Sequence, residues 1–366
     1  MHFICSKKDL VQGLHIIERA IASNDTIQIL TGINIEASRD EITLTASNLE
    51  LTIQTKIQGN TILEGNFICD GKLPSIIRKL PDGNVTIEVK NSKVHITAEN
   101  IEFAINCFNP EEEFPVVPEL INPLAEIASD LLTKMIKNTV FATVNDDTRP
   151  YLSSVLFEFK KPILKLVATD ANRLSLYQTD LEKIYSADVD LLVPNKNLNE
   201  LLRILPNDKE VEVILYHLEE QLVFKFEQTI LSTRLVNAQF PNYQAIIPSE
   251  QPINVTLVKD ALENAMERAI LFDKKGTLPV IFKAEKGILE LQTPPSDVEQ
   301  YCESIPVEHS GGDGKAAYSP KFILEMLKAS DAEMVTFEFN SDLRQALLRP
   351  ADHKNHLYII MPIYIN

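Results

Sequence analysis

The sequence predicts an α+β protein built from three copies of one domain, each with two helices packed on antiparallel sheets. Helix-type apolar periodicity recurs twice in every third of the 366 residues. Period-two alternation fills the stretches between, and Pro-rich acidic connectors separate the thirds. At a usual domain size of about 100–200 residues, a chain of this length holds one to three domains.

The first helix of each third follows an Asp: LVQGLHIIERAI after Asp9, LLTKMIKNTVFAT after Asp130 and ALENAMERAILF after Asp260. An Asp suits an N-cap, because its carboxylate accepts from an orphan amide, so each is expected to cap. The second helix recurs as KLPSIIRKLP (72–81), PNKNLNELLRILP (194–206) and SPKFILEMLKAS (319–330). Each has a Pro at or near its start, where the missing N–H costs nothing. Between the helices, 41–55, 156–170, 222–236 and 334–348 alternate apolar and polar residues. They read as antiparallel strands with one solvated face. The connectors NPEEEFPVVPEL (109–120) and FPNYQAIIPSEQP (240–252) place the boundaries at 1–121, 122–248 and 249–366.

Composition narrows the function. Apolar residues make up 45% and charged residues 24%, the balance of a soluble globular protein. The net charge of −17 taken alone argues against a nucleic-acid binder. Its distribution argues otherwise. The six helical segments carry +1, +3, +2, +1, −1 and +1 in chain order, a net +7 that leaves −24 for the rest. If the helices share one surface, that surface can hold a polyanion through phosphate contacts alone. Solvated Lys and Arg on ordinary surface helices would give the same count.

Chemistry has no obvious seat. Cys5, Cys69, Cys107 and Cys302 form no C-x-x-C pair and are expected to be reduced thiols used as small hydrophobes. No P-loop, dinucleotide fingerprint, G-x-S-x-G or zinc signature occurs. His353 and His356 lie close together without an evident third ligand, Asp146-Asp147 reads as a surface loop, and GGDG (311–314) reads as a hairpin or loop. The start lacks the apolar core of a signal peptide and no run of about 18 apolar residues exists, so a cytoplasmic protein is expected.

Four stretches resemble one family. VATDANRLSLY (167–177) is similar to the V-A-T-D-G-H-R-L segment of the bacterial DNA polymerase III beta subunit, the sliding clamp. TRPYLSSVLFEF (148–159), FPNYQAIIP (240–248) and LYIIMPIYIN (357–366) follow in the family's order, on a threefold repeat of the family's length. The resemblance implies a clamp fold and a head-to-tail homodimer closing a six-domain ring around duplex DNA. It implies a processivity factor with no cofactor and no catalysis of its own. Its partners would be a second copy of the chain, non-specific double-stranded DNA, the polymerase III alpha subunit, the clamp loader and other proteins carrying clamp-binding motifs. A specialised paralogue with weakened DNA or dimer contacts, serving repair or a subset of polymerases, is the alternative.

Carried over position by position, the resemblance implies a peptide pocket of Leu152, Thr169, Ala171, Asn172, Arg173, Leu174, Pro241, Ile246, Leu343, Gln345, Ile359, Met361, Pro362 and Ile363. Arg173 and Gln345 are expected to anchor a peptide's polar groups. Removing 357–366 is expected to abolish partner binding and leave the ring intact. The implied DNA contacts are Asn24, Lys72, Arg78, Lys137, Arg149, Tyr151, Lys196, Arg203 and Lys328. The implied dimer contact sets Phe103 and Ile105 against Ile270 and Leu271 of a second copy, with Lys72 facing Asp297, Glu299 and Glu303. The chain departs from the family at Asn24, where an Arg is usual, and at Ala171-Asn172, where Gly-His is usual. Ala245 and Glu102 also stand where basic residues are common.

Overall fold

The computed structural model describes the chain except residues 24–26, 109–112, 147, 186–187, 207–210, 273–277, 296–299, 343 and 366. Six α-helices are present among the described residues: α1 (Lys7–Ile17), α2 (Leu73–Ile77), α3 (Ser129–Val140), α4 (Asn195–Ile204), α5 (Lys259–Ile270) and α6 (Pro320–Ala329). All strand pairs in the sheets are antiparallel. The helices α1, α3 and α5 begin two or three residues earlier than Asp caps at 9, 130 and 260 predict. Ser6 caps α1: its Oγ accepts from Asp9 N at 3.1 Å and donates to Asp9 Oδ2 at 2.7 Å. Asp130 and Asp260 likewise sit in the first turns of α3 and α5. A carboxylate there still complements the helix dipole, which is why the Asp recurs without being the cap.

The chain divides into two compact units, residues 1–130 with 183–186 and 199–235, and residues 131–182 with 187–198 and 236–366. The first unit holds two sheets. One has five strands, in the order Asn60–Leu63, His2–Ser6, Asn84–Lys90, Lys93–Ala98, Ile101–Asn106. The other has eight, in the order Ala125–Ala128, Glu212–Leu218, Gln221–Phe226, Thr229–Arg234, Leu51–Gln58, Glu41–Ser47, Gly32–Ser38, Gly65–Asp70. Four of these eight come from the middle third of the chain and four from the first. They meet where Leu231 lies opposite Ile53 and the hydroxyls of Thr55 and Thr229 stand 2.9 Å apart. Helix α1 buries Leu10, Leu14 and Ile17 at helical spacing. Gly13 lets it lie close to its sheet, since a Cβ there would come within 2.8 Å of both Leu44 and Ile57.

The second unit repeats the plan. Its large sheet runs Val189–Pro194, Ser154–Lys160, Ile163–Thr169, Arg173–Asp180, His356–Ile360, Ala346–Pro350, Met334–Phe339, Ile253–Val258, Glu308–Gly311. The smaller runs Cys302–Pro306, Ile288–Gln292, Val280–Glu285, Gly314–Tyr318. The GGDG stretch carries the chain from the end strand of the nine-stranded sheet to the end strand of the four-stranded one, so it is a crossing loop and not a hairpin. Phe282, Tyr318, Phe337 and Phe339 interlock edge-to-face and offset in the core, with centroids 5.1–6.4 Å apart. The expectation of one solvated face fails at Ser154–Lys160, where every residue but the last is buried. Both faces of that strand are covered, so its alternation of Leu156 and Glu158 with Phe157 and Phe159 separates two interiors and not inside from outside.

His356 opens the strand that joins the middle and last thirds. It is buried, with Nε2 3.0 Å from the Ser175 hydroxyl, which itself donates to Asn138 O at 2.5 Å. Burial, aided by the neighbouring His353, pushes its pKa down to about 3. An unfolded histidine binds its proton near 6.5, so below that pH the unfolded chain holds a proton that the folded chain refuses. Stability therefore falls as pH drops from 6.5 toward 3, by up to about 1.4 kcal/mol per pH unit from this one group. In urea unfolding at pH 7 and pH 5, His356→Gln is expected to flatten that slope by about this amount. An unchanged slope would mean that His356 is not buried neutral.

Candidate peptide pocket and basic helix residues

Every described residue of the expected pocket lies in the second unit, around the place where the two thirds share a sheet. Leu174 faces Ile359 across the strand pair, Ile359 faces Leu347, and Thr169 faces Leu174. Leu174, Leu347 and Ile359 join Leu156, Val167, Leu176, Leu192 and Tyr243 in one buried cluster, with Tyr151, Phe240 and Ile247 packed at its margin. Tyr151 meets Phe240 edge-on at 6.4 Å, and Phe240 meets Tyr243 in the same way at 6.3 Å. Tyr243 in turn donates to Glu158 at 2.9 Å, which ties the FPNYQ stretch to the sheet. Leu152 is buried in the short 3₁₀ turn Pro150–Ser153. Above the cluster the surface is apolar and open: Ile246 is 41% exposed and Met361 45%, with Pro241 exposed and Pro362 and Ile363 half-buried. Leu343 lies outside the described residues.

The segment Asp170–Asn172 connects two of these strands in a tight turn. Asp170 Oδ1 accepts from the amides of Asn172 and Arg173 at 2.9 and 3.0 Å, and Thr169 Oγ1 donates to Arg173 O at 2.6 Å. Ala171 holds a φ of 77°, the left-handed region that favours glycine. The family's usual Gly therefore has a backbone reason here, and Ala is strained. Asn172 O accepts from Met361 N at 2.9 Å, and Ile363 N donates to Ala317 O at 2.8 Å, so residues 361–363 run from the turn to the strand Gly314–Tyr318.

Arg173 does not offer itself to a ligand as expected. It is buried, with Nε on Asp170 Oδ2 at 2.9 Å, Nη2 on Phe141 O at 2.7 Å, and Nη1 on Glu325. Its guanidinium also lies 4.3 Å over the Phe322 ring. Burial opposes the charge, but Glu325 and Asp170 outweigh it, so the guanidinium stays protonated. Its role is to fasten the turn to α6 and to the end of α3. Gln345 is half-buried; its side-chain amide donates to Ile246 O at 2.8 Å, while its backbone carbonyl accepts from the Gln251 side-chain amide at 2.7 Å. The expected clean loss of residues 357–366 is also corrected. Leu357–Ile360 is interior strand, so such a truncation removes the seam of the sheet as well as the exposed tail.

The basic helix residues are mostly neutralised by their own chain. Arg78 pairs with Glu18, Arg149 with Asp146 at 2.8 Å, Arg203 with Glu200 at 2.7 Å and Lys328 with Glu267 at 2.8 Å. Lys72 is 81% exposed on the N-terminal side of α2, and its ammonium stays 4.0 Å from Asp70. Lys137 on α3 and Lys196 on α4 are exposed and have no ion pair among the described residues. Asn24 falls outside the described residues, as do Asp297 and Glu299. Glu303 is not held ready for Lys72: Arg268 binds it through two nitrogens at 2.6 and 2.8 Å, and Tyr301 donates to it at 2.8 Å. Leu271 is 77% exposed and Phe103 is 39% exposed, with Ile105 and Ile270 half-buried. His353 and His356 do not converge with a third ligand: among the described residues no group of three His, Cys, Asp or Glu could hold a metal ion.

Relieving the left-handed alanine is a direct check on the turn. Ala171→Gly is expected to stabilise the chain by about 0.5–1 kcal/mol, because the strain of about 1–2 kcal/mol exceeds the entropy that glycine adds to the unfolded state. A lower melting temperature for the variant would contradict the geometry.

The chain matches three family models in succession: the N-terminal domain of the DNA polymerase III beta subunit over residues 1–118, the central domain over 126–242 and the C-terminal domain over 244–364. It is 29% identical to the beta sliding clamp of Halalkalibacterium halodurans and 27% identical to that of Bacillus subtilis, covering 99% of both chains in each case. Its fold superposes on the crystal structure of the DNA polymerase sliding clamp from Bacillus subtilis with a TM-score of 0.95, at 27% identity and full coverage of both chains. The beta subunit of the Streptococcus pyogenes DNA polymerase gives 0.94 at 26% identity, again over both whole chains. Three successive domains, a continuous sheet joining each to the next and relatives along the full length make one statement: this chain belongs to the DNA polymerase III beta subunit family, the bacterial sliding clamps.

Proposed function

We propose that two copies of this chain close head-to-tail into a ring around duplex DNA, and that the ring slides without reading sequence while tethering a polymerase. The observation that carries this is an unfinished pattern of strand pairing. The repeat has one strand of each kind per third: Leu51–Gln58, Arg173–Asp180 and Cys302–Pro306 are one set, and Ile101–Asn106, Thr229–Arg234 and His356–Ile360 the other. The first strand of the first set pairs with the second of the other, and the second with the third. Cys302–Pro306 and Ile101–Asn106 are left at the ends of their sheets. An exposed strand edge is a template for another chain. Pairing these two edges between copies would turn a five-stranded and a four-stranded sheet into a third large sheet, of nine strands, and a contact that closes does not propagate into a fibre.

The side chains agree with that edge pairing. Phe103 and Ile105 belong to one edge strand, and Ile270 and Leu271 end α5, whose neighbour is the other edge. Glu102, 3.2 Å from His95, adds no basic partner there, so the contact rests on apolar burial. The domains would be 1–121, 122–248 and 249–366, the middle one contributing to both large sheets. Basic helix residues, largely paired with carboxylates, would give DNA a loose electrostatic fit, as sliding needs. The exposed Ile246 and Met361, with the half-buried Pro362 and Ile363, would take a short apolar peptide from the polymerase III alpha subunit, the clamp loader or other clamp-binding proteins in the cytoplasm. The ring would do no chemistry and need no cofactor. The alternative, a specialised paralogue, is motivated by Asn24 and Ala171-Asn172 and would show itself as a weak dimer. Light scattering should find twice the chain mass at micromolar concentration, and Leu271→Asp should weaken the dimer at least tenfold without lowering the melting temperature of the monomer. A monomer at all concentrations, or a dimer indifferent to Leu271→Asp, would defeat the head-to-tail closure.

A further inference from the structure

We infer that Cys69 and Cys107 form a reversible cross-strand disulfide that staples the two sheets of the N-terminal domain together beside the end strand Ile101–Asn106. The two residues are antiparallel bridge partners, joining the end strand Gly65–Asp70 to the chain that leaves Ile101–Asn106. The hydrogen bonds say which kind of pair this is. Phe108 N donates to Ile68 O at 2.9 Å, one residue beyond the pair on each side, while Cys107 N donates elsewhere, to Ser92 O at 3.1 Å. The two cysteines therefore occupy a non-hydrogen-bonded site, the narrower of the two antiparallel spacings, with Cα atoms about 4.5 Å apart and side chains on the same face. That lies inside the range a disulfide bridges, about 4.4–6.8 Å.

Both are free thiols. Cys69 is fully buried and Cys107 half-buried. Burial chiefly, and then the adjacent Cys107, raises the Cys69 pKa, which agrees with two sulfurs side by side; burial raises Cys107 as well. Such thiols react slowly near neutral pH, so the bridge would respond to sustained oxidation and not to a brief pulse. The oxidant is a small disulfide such as oxidised glutathione. The Cys107 thiolate, the more accessible, attacks one sulfur of that disulfide and expels a glutathione thiolate. The Cys69 thiolate then attacks Cys107 Sγ and expels the second. Two protein thiols and one small disulfide become one protein disulfide and two small thiols, so electrons and protons balance. The product would close the loop holding α2 and the strands Asn84–Lys90, Lys93–Ala98 and Ile101–Asn106, and would fix the end of the last.

The test uses the full chain, reduced and then incubated natively with oxidised glutathione at pH 8.5, alkylated, digested and mapped by mass spectrometry. The expected result is a Cys69–Cys107 linked peptide that dithiothreitol removes, with a melting temperature raised by several degrees in the oxidised form. Cys107→Ser should lose both, and Cys5→Ser should lose neither. Glutathione retained on Cys107 with Cys69 still alkylatable would overturn the inference, as would a link that forms only after urea is added.

Discussion

A β-strand is satisfied only when both of its edges are, and this chain is organised by where it meets that requirement and where it does not. The middle third supplies strands to both large sheets, while the first and last thirds each share one large sheet with it and keep a smaller sheet to themselves. His356–Ile360 illustrates the constraint. It is laid between Arg173–Asp180 and Ala346–Pro350, pairing with both, so that strands from two thirds of the sequence make one sheet. Thr229–Arg234 and Leu51–Gln58 repeat the arrangement in the other unit. The consequence is arithmetic: three strands of each kind, two junctions within the chain, and one of each kind left over.

The candidate pocket is a by-product of the same seam. Because the last strand must run along Arg173–Asp180, the residues after it are delivered to the turn at Asp170–Asn172, with Met361 hydrogen-bonded to Asn172. Arg173 holds that turn from behind, with three polar partners and an aromatic ring. Leu174 and Ile359 are buried while Met361 and Ile246 are exposed, so the candidate site joins a packed interior to adaptable surface side chains. Under the proposed function, different partner peptides would share such a surface.

Much of this was legible in the sequence, for definite reasons. Helices and strands repeat at about 120–130 residues, and a threefold period in amphipathic pattern can come from little else. The expected pocket residues came from motif order, and those described all fall in one unit of the structure. What could not be read was the use of each side chain. Asp9 looked like a cap, and the cap proved to be Ser6, because a first-turn carboxylate and a capping serine leave the same local signature. Arg173 looked like a free anchor because its three partners are up to 152 residues away. Ser154–Lys160 looked half-solvated because alternation cannot tell two interiors apart. The Cys69–Cys107 pairing, 38 residues apart with no motif, belongs to the same class of long-range fact.

The central claim is topological: the protein would stay on DNA because it surrounds it and not because it grips it. The direct measurement loads the protein onto nicked circular DNA with a matching ATP-driven loader, raises the salt, and then cuts the circle once. The account requires retention on the circle at salt that screens the Lys and Arg contacts, and rapid loss after linearisation. Equal retention on circular and linear DNA would mean that charge holds the complex, and loss from both would mean that no closed ring forms.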